Sequence, residues 1–370
     1  MPYDDRKKLI GKIEDLREGR RLIAICNFDR IEMPRMGAMS IEFGEDIKEP
    51  LYRVLKETIG RKGKLDIFLY TRGGATNAVW PIASLLREFD PNFEVLVPYR
   101  AHSSGTLLAL AAKRIVMTRI AELSPIDPTT GNQFNPPDPV YDQARLGISV
   151  EDVSAYQEFW KKALGVPSNG QISDQDRQLL QQHLHRLATE IHPLALGNVH
   201  RVHMQIALLA GKLLEWHYGR GEEIEEKIKK LTTSYYSHHH MINRQEARLI
   251  FGKEHVSFAP AKLDHALDQL LRVYENNFDL RHPFVLSSFM ENEPERQARF
   301  IGGCVESRKW GYLYETKMQI RQFVNPPAGI QIQVPPGETP PLIVGLPRQQ
   351  NLEITSRSWV RNEKPKGVTT

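Results

Sequence analysis

The strongest constraint on the fold is an alternation of short apolar runs with segments of helical periodicity between residues 20 and 130. Four runs have the length and composition of buried strands: Arg21–Asn27, Leu65–Tyr70, Phe93–Pro98 and Arg114–Met117. The helical segments between them are Asp46–Ile59, Asn77–Glu88 and Ser103–Lys113. Strands that alternate with helices in this way favour right-handed crossovers on a parallel sheet. The sequence therefore predicts an α/β core.

The pattern changes on both sides of this core. Residues 3–20 have the spacing of a short amphipathic helix. Helical periodicity dominates after residue 130; it is clearest over Val199–Trp216, and Ser173 is the expected N-cap of a helix over Asp174–Glu190. After about residue 282 we expect β-like pieces, among them Phe284–Phe289 and Gly311–Phe323, separated by proline-rich sequences.

These shifts divide the chain into four predicted parts. They are an N-terminal helix (1–20), the α/β core with the candidate active site (21–130), a helical part of the same domain (131–280) and a β-rich or extended, proline-rich C-terminal segment (281–370).

Composition restricts the class of protein. The 370 residues are 41% hydrophobic and 25% charged, as in folded globular proteins. A net charge of only +4 argues against a protein held on nucleic acid by a basic face. Two cysteines cannot build a disulfide scaffold. No run approaches the roughly 20 apolar residues that span a bilayer, and the N-terminal residues do not have the pattern of a signal peptide. We expect a cytoplasmic protein with no nucleic-acid partner and no membrane span.

Two glycine-bearing turns follow successive predicted strands. The first is Thr71-Arg72-Gly73-Gly74, and the second is His102-Ser103-Ser104-Gly105-Thr106. Because active sites of open α/β sheets lie where strands end and helices begin, both turns are expected at one crevice. Ser103 would then be an exposed nucleophile, with the backbone N–H groups of Ser104 and Gly74 as its oxyanion hole. We expect Gly73 and His102 to contact substrate.

The residues around these turns resemble a known family. The segments LYTRGGATNAVWPIASLL, YRAHSSGTLLALAAKRIVMT and AELSPIDP are similar to the serine dehydrogenase proteinase family, a relative of signal peptide peptidase A and, more distantly, of the Clp protease proteolytic subunit and the crotonases. The similarity extends through Ile191–His203 and Tyr235–Ala247, over roughly residues 20–255. It implies a Clp/crotonase-like ββα superhelix core, Ser103 as nucleophile with Gly74 and Ser104 as oxyanion donors, and assembly into a homo-oligomer.

The general base is left open by the sequence. The Clp branch places a histidine about 25 residues after the serine, and this stretch has none. The signal peptide peptidase branch places a lysine some fifty residues on, where Lys161 and Lys162 are the candidates, and Asp127 could orient a base. His238-His239-His240, and His200 with His203, complete no recognisable metal motif, so we expect structural or surface roles for them, no metal and no cofactor.

Three functions are compatible with these residues. The leading hypothesis is a cytosolic serine peptidase in which Ser103 attacks a peptide carbonyl. The alternatives are a non-catalytic oligomeric binding or assembly protein of the same fold, and a crotonase-like acyl-CoA enzyme that uses comparable backbone donors.

Overall fold

The computed structural model describes residues 2–30, 41–60, 63–126, 129–139, 144–165, 173–219, 221–233, 235, 237, 240–291, 293–324 and 348–362. Its helices are α1 (Pro2–Leu16), α2 (Lys48–Thr58), α3 (Val79–Phe89), α4 (Ser104–Leu110), α5 (Val150–Ala163), α6 (Asp174–Glu190), α7 (Pro193–Tyr218), α8 (Glu222–Thr233), α9 (Arg244–Phe251), α10 (Ala261–Asn277) and α11 (Leu286–Met290). Its strands are β1 (Arg21–Asn27), β2 (Leu65–Tyr70), β3 (Glu94–Val97), β4 (Arg100–Ala101), β5 (Arg114–Met117), β6 (Glu122–Leu123), β7 (Thr129–Thr130), β8 (Ile148–Ser149), β9 (Ile242–Asn243), β10 (Val256–Phe258), β11 (Glu295–Ser307), β12 (Gly311–Val324) and β13 (Arg348–Asn362).

An eight-stranded sheet organises the molecule, in the order β10-β5-β3-β2-β1-β11-β12-β13. The first five of these strands are parallel, and the last three run antiparallel to their neighbours. Helices connect the parallel strands, so the predicted α/β class is confirmed.

The C-terminal strands continue this sheet. β11 pairs with β1 and places Cys304 opposite Cys26, and the long hairpin of β11 and β12 is followed by β13 at the edge. The prediction of a β-like piece at Phe284–Phe289 was wrong, because this stretch carries α11, whose Met290 packs with Ala298 and Met318 of the hairpin. Short apolar runs fit a strand or a helix equally well, and here the contact with the hairpin decides.

Apolar side chains of β1 alternate between two cores. Ile23 and Ile25 enter a first core with residues of α2, α3, α4, α7, α8 and α9, whereas Leu22 and Ala24 enter a second core under α1 and α10. This alternation follows the pleat, in which successive side chains point to opposite faces of a sheet. Helices therefore cover both faces, as buried parallel strands require.

The helical region follows the sequence closely. The predicted helix Asp174–Glu190 is confirmed, and the Ser173 hydroxyl accepts a hydrogen bond from the Asp176 N–H at 3.1 Å. α7 contains the predicted Val199–Trp216 within a longer helix. No helix in the described ranges has both the length and the apolar character needed to cross a membrane.

A second, three-stranded sheet stands at the carboxyl ends of the parallel strands and has the order β4-β6-β9. β4 and β6 are parallel, β9 is antiparallel to β6, and Ala101, Leu123 and Ile242 lie side by side across the three strands. All three are fully buried in the first core. This small sheet positions the candidate site, because β4 leads directly into Ser103.

Candidate active site

The two glycine-bearing turns lie against each other. The Thr71 N–H donates to the Arg100 carbonyl at 3.0 Å, and the His102 N–H donates to the Thr71 carbonyl at 3.1 Å. A Cβ on Gly105 would lie 2.5 Å from Cγ2 of Thr71, so the second turn approaches the first more closely than any side chain allows. These contacts bring the ends of β2 and β4 to one place.

Ser103 has a strained backbone between β4 and α4. Its φ of 50° and ψ of −113° belong to a region that non-glycine residues rarely adopt. Strain of this kind persists only where the surrounding structure holds it, and it concentrates at functional positions. A sharp strand-to-helix turn that presents a serine is the geometry of a nucleophile elbow.

Gly73 and Gly74 fit this place because they lack side chains. Gly73 has a φ of +109°, and a Cβ there would lie 2.7 Å from Cβ of Ser103. Gly74 has a φ of +151°, and a Cβ there would lie 2.4 Å from the nitrogen of Phe43. Phe43 bridges this turn, because its N–H donates to the Gly73 carbonyl at 2.8 Å and its carbonyl accepts from the Ala75 N–H at 2.7 Å.

Two backbone N–H groups beside Ser103 are unengaged. Within the described part of the chain, neither the Gly74 N–H nor the Ser104 N–H has a hydrogen-bond acceptor. The hydrogen bonds to Phe43 involve the Gly73 carbonyl and the Ala75 N–H but not the Gly74 N–H. Ser104 is the first residue of α4, where a backbone N–H has no acceptor within the helix. Two backbone N–H groups without an acceptor among the described residues therefore lie near Ser103.

Ser124 fixes the position of Ser103, a role that sequence reasoning missed. Its hydroxyl accepts from the Ser103 N–H at 2.8 Å and donates to the Pro125 carbonyl at 2.9 Å. The hydroxyl of Thr106 donates to the Ala101 carbonyl at 2.7 Å and accepts from the Ser124 N–H at 3.1 Å. The serine within the AELSPIDP segment was the signal for this contact, whereas no local signal points to Phe43.

His102 belongs to a charged network beside the turn. Its Nε2 lies 3.2 Å from a carboxylate oxygen of Glu122, and Arg100 reaches the same oxygen at 3.4 Å. Burial raises the pKa of the Glu122 carboxyl above its usual value, and the charge of Arg100 opposes this increase only in part. Asp29 continues the network by pairing with Arg72 and Arg100.

The predicted base candidates lie elsewhere. Lys161 is on α5, and its ammonium is 2.7 Å from Glu158 of the same helix. Lys162 is exposed on that helix, and no hydrogen bond or ion pair connects either lysine to Ser103 within the described residues. Asp127 lies outside the described residues.

The histidine triplet is described only at its last member. His240 lies with its Nε2 3.1 and 3.2 Å from the two carboxylate oxygens of Glu246, and the ring of Tyr235 stacks on it at 4.2 Å. His238 and His239 lie outside the described residues. Across the part of the chain that the structure describes, no group of three or more histidine, cysteine or acidic residues is arranged to hold a metal ion.

The N-terminal part of the chain is similar to known proteins. Two curated relatives come from Methanocaldococcus jannaschii: the uncharacterized protein MJ0137, 30% identical over 129 residues, and the uncharacterized protein MJ1495, 33% identical over 137 residues. These matches cover 34% and 35% of this chain and 43% and 45% of the relatives, so the chain spans less than half the length of either. Residues 3–141, which contain both glycine-bearing turns and Ser124, match the family model described as ClpP-like SDH-type serine proteinase. The resemblance to this family that the sequence indicated is therefore confirmed over this part of the chain.

Proposed function

We propose that the protein is a serine peptidase whose nucleophile is Ser103. The observation that carries this proposal is the strained Ser103 next to two backbone N–H groups, those of Gly74 and Ser104, that have no acceptor among the residues the structure describes. The family match to residues 3–141 supports the same chemistry.

The reaction follows from this arrangement. The Ser103 oxygen forms a bond to the peptide carbonyl carbon while its proton passes to a base. The carbonyl oxygen becomes negative and accepts hydrogen bonds from the Gly74 and Ser104 N–H groups, which stabilise it because they are already in place. The C–N bond then breaks, the proton leaves with the amine, and water hydrolyses the acyl-enzyme by the same steps in reverse order.

The strained serine also separates this proposal from acyl-CoA chemistry. Two backbone donors would serve a thioester enolate equally well, but that reaction needs no nucleophile. A serine held at φ 50° directly beside Gly73 favours covalent catalysis.

A fluorophosphonate probe tests the proposal, because it reacts with activated serines independently of the substrate. We expect one adduct, located at Ser103 by peptide mass spectrometry, and its loss in Ser103→Ala. Ser287→Ala, which changes an exposed serine on α11, serves as the matched control and keeps the adduct. Labelling that is absent from the wild-type chain, or unchanged in Ser103→Ala, contradicts the proposal.

A further inference from the structure

The small sheet places a histidine level with the nucleophile. In this sheet, Ala101 of β4, Leu123 of β6 and Ile242 of β9 form one row. Ser103 follows Ala101 by two residues at one end of this row. Because β9 runs antiparallel to β6, the residue at the same end of β9 is the one two positions before Ile242, which is His240. Neighbouring strands lie about 4.8 Å apart, so positions on either side of a central strand are separated by about 10 Å. A serine and a histidine side chain that lean towards each other over the central strand span most of this separation, and one water molecule can span the rest.

The two residues also share a face of the small sheet. Ala101, Leu123 and Ile242 all point into the first core, and alternation along the chain puts His240 on the same side as Ile242. Helix α4 begins on this side, since a Cβ on Gly105 would lie 3.6 Å from Cβ of Ala101. His240 therefore lies on the same face of the small sheet as the start of α4. Ser103 is the N-cap of this helix.

A carboxylate holds His240 in place. Glu246 is in the first turn of α9, and the N-cap Asn243 accepts hydrogen bonds from the N–H groups of Gln245 and Glu246 at 2.9 and 3.1 Å. Both oxygens of Glu246 contact Nε2 of His240, and Tyr235 stacks on the ring. Burial raises the pKa of the Tyr235 hydroxyl, and its hydrogen bond to Glu246 adds to this effect. Glu122, the acidic residue of the neighbouring strand, is engaged with Arg100 and His102.

We propose that His240 is the general base of Ser103 and that Glu246 orients it. This inference rests on the proposed function. A base within reach of the nucleophile and held by a third group is the arrangement that activates a serine. As the Ser103 oxygen bonds to the carbonyl carbon, its proton moves to Nδ1 of His240, while Glu246 holds the N–H on Nε2. The imidazolium then gives the proton to the departing amine as the C–N bond breaks, and it removes a proton from water in the second half of the reaction.

The rate at which a fluorophosphonate labels Ser103 tests this assignment. Since general base catalysis contributes roughly 10²- to 10⁴-fold, we expect His240→Ala to slow labelling about 100-fold or more. Imidazole added to the buffer is expected to restore part of the labelling rate of His240→Ala. Such rescue is not expected if the histidine has a purely structural role. Glu246→Gln keeps the size of the side chain and is expected to slow labelling by about tenfold at an unchanged melting temperature.

Two controls separate the possible outcomes. His265→Gln changes an exposed histidine on α10 and is expected to label at the wild-type rate, as is the double variant Lys161→Ala, Lys162→Ala. Wild-type labelling in both His240→Ala and Glu246→Gln overturns the assignment, and so does a loss of labelling in the lysine variant while His240→Ala reacts normally. In both of these cases Ser103 remains labelled in the wild-type chain, so the peptidase proposal stands. A wild-type chain that does not label at Ser103 refutes both proposals.

Discussion

At the scale of single residues, the site depends on positions where a side chain cannot be placed. Gly73 and Gly74 combine positive φ angles with contacts below 3 Å for any added Cβ, one against Ser103 and the other against Phe43. Ser103 itself has a positive φ and is held by the Ser124 hydroxyl. Backbone strain at the candidate site is therefore concentrated in a few neighbouring residues.

Gly74→Ala tests this dependence. The added Cβ would lie 2.4 and 2.5 Å from the backbone nitrogen and oxygen of Phe43 at a φ of +151°, so the turn must shift. We expect the free energy of unfolding to fall by about 1–3 kcal/mol and labelling of Ser103 to be lost. Denaturation and probe labelling measure these effects. Gly197→Ala, on α7 with nothing within 4 Å of the added Cβ, is the control and is expected to be neutral or stabilising by up to about 1 kcal/mol. A Gly74→Ala chain as stable and reactive as wild type would contradict the prediction that this turn cannot accommodate a side chain at residue 74.

At the scale of elements, the junction of α7, α9 and β5 buries a histidine. His255 is 3% exposed, and its ring lies 5.5 Å from that of His217 and 5.4 Å from that of Tyr218. Burial, together with the charges of His217 and Lys113, lowers the pKa of His255 to about 3. Packing of these elements therefore requires the neutral imidazole.

This burial predicts how stability depends on pH. Between pH 6.5 and about 3, the unfolded chain binds a proton at His255 and the folded chain does not. Stability from this group is therefore complete above pH 6.5 and decreases as the pH falls, by up to about 1.4 kcal/mol per pH unit. Urea denaturation from pH 7 to pH 5 is expected to show a shallower decrease in His255→Gln than in wild type, whereas His265→Gln keeps the wild-type slope. Equal slopes in His255→Gln and wild type would show that His255 does not control this dependence.

At the scale of the whole molecule, the two ends of the chain meet on the central sheet. β11 pairs with β1 in the middle of the eight strands. The buried Arg6 of α1 donates two hydrogen bonds to Glu306 of β11, at 2.8 and 2.9 Å, and the Tyr274 hydroxyl donates to the same carboxylate at 3.0 Å. Removing one member of a buried ion pair is strongly destabilising, because the other member remains as a buried charge without a partner. The C-terminal strands therefore support the part of the chain that carries the site.

A pair of shortened chains tests this integration. A chain that ends after Met290 lacks β11, leaves the edge of β1 unpaired and leaves Arg6 without Glu306, so we expect it to aggregate or unfold. A chain that ends after Val324 loses only the edge strand β13 of the described elements, and we expect it to remain folded. Size-exclusion chromatography and thermal melting of both chains provide the measurement. A stable monodisperse chain ending at Met290 would show instead that the C-terminal segment folds apart from the core.

Local sequence alone determined much of this protein. The ranges Arg21–Asn27, Leu65–Tyr70 and Arg114–Met117 are strands with the predicted bounds, and Ser173 caps the predicted helix Asp174–Glu190. Apolar runs, periodicity and caps depend on neighbouring residues, so they can be read without the fold. The order of the two glycine-bearing turns likewise pointed to Ser103.

Only the tertiary structure decided which distant residues meet at that serine. Phe43 approaches Gly74, and the Ser124 hydroxyl accepts a hydrogen bond from the Ser103 N–H. The pairing of Leu123 with Ile242 underlies the role that we propose for His240. The pairing of β1 with β11 places Cys26 opposite Cys304, although the two residues are far apart in the sequence. Such contacts depend on strand register and on the packing of buried surfaces, which arise from the whole chain and leave no local pattern in the sequence.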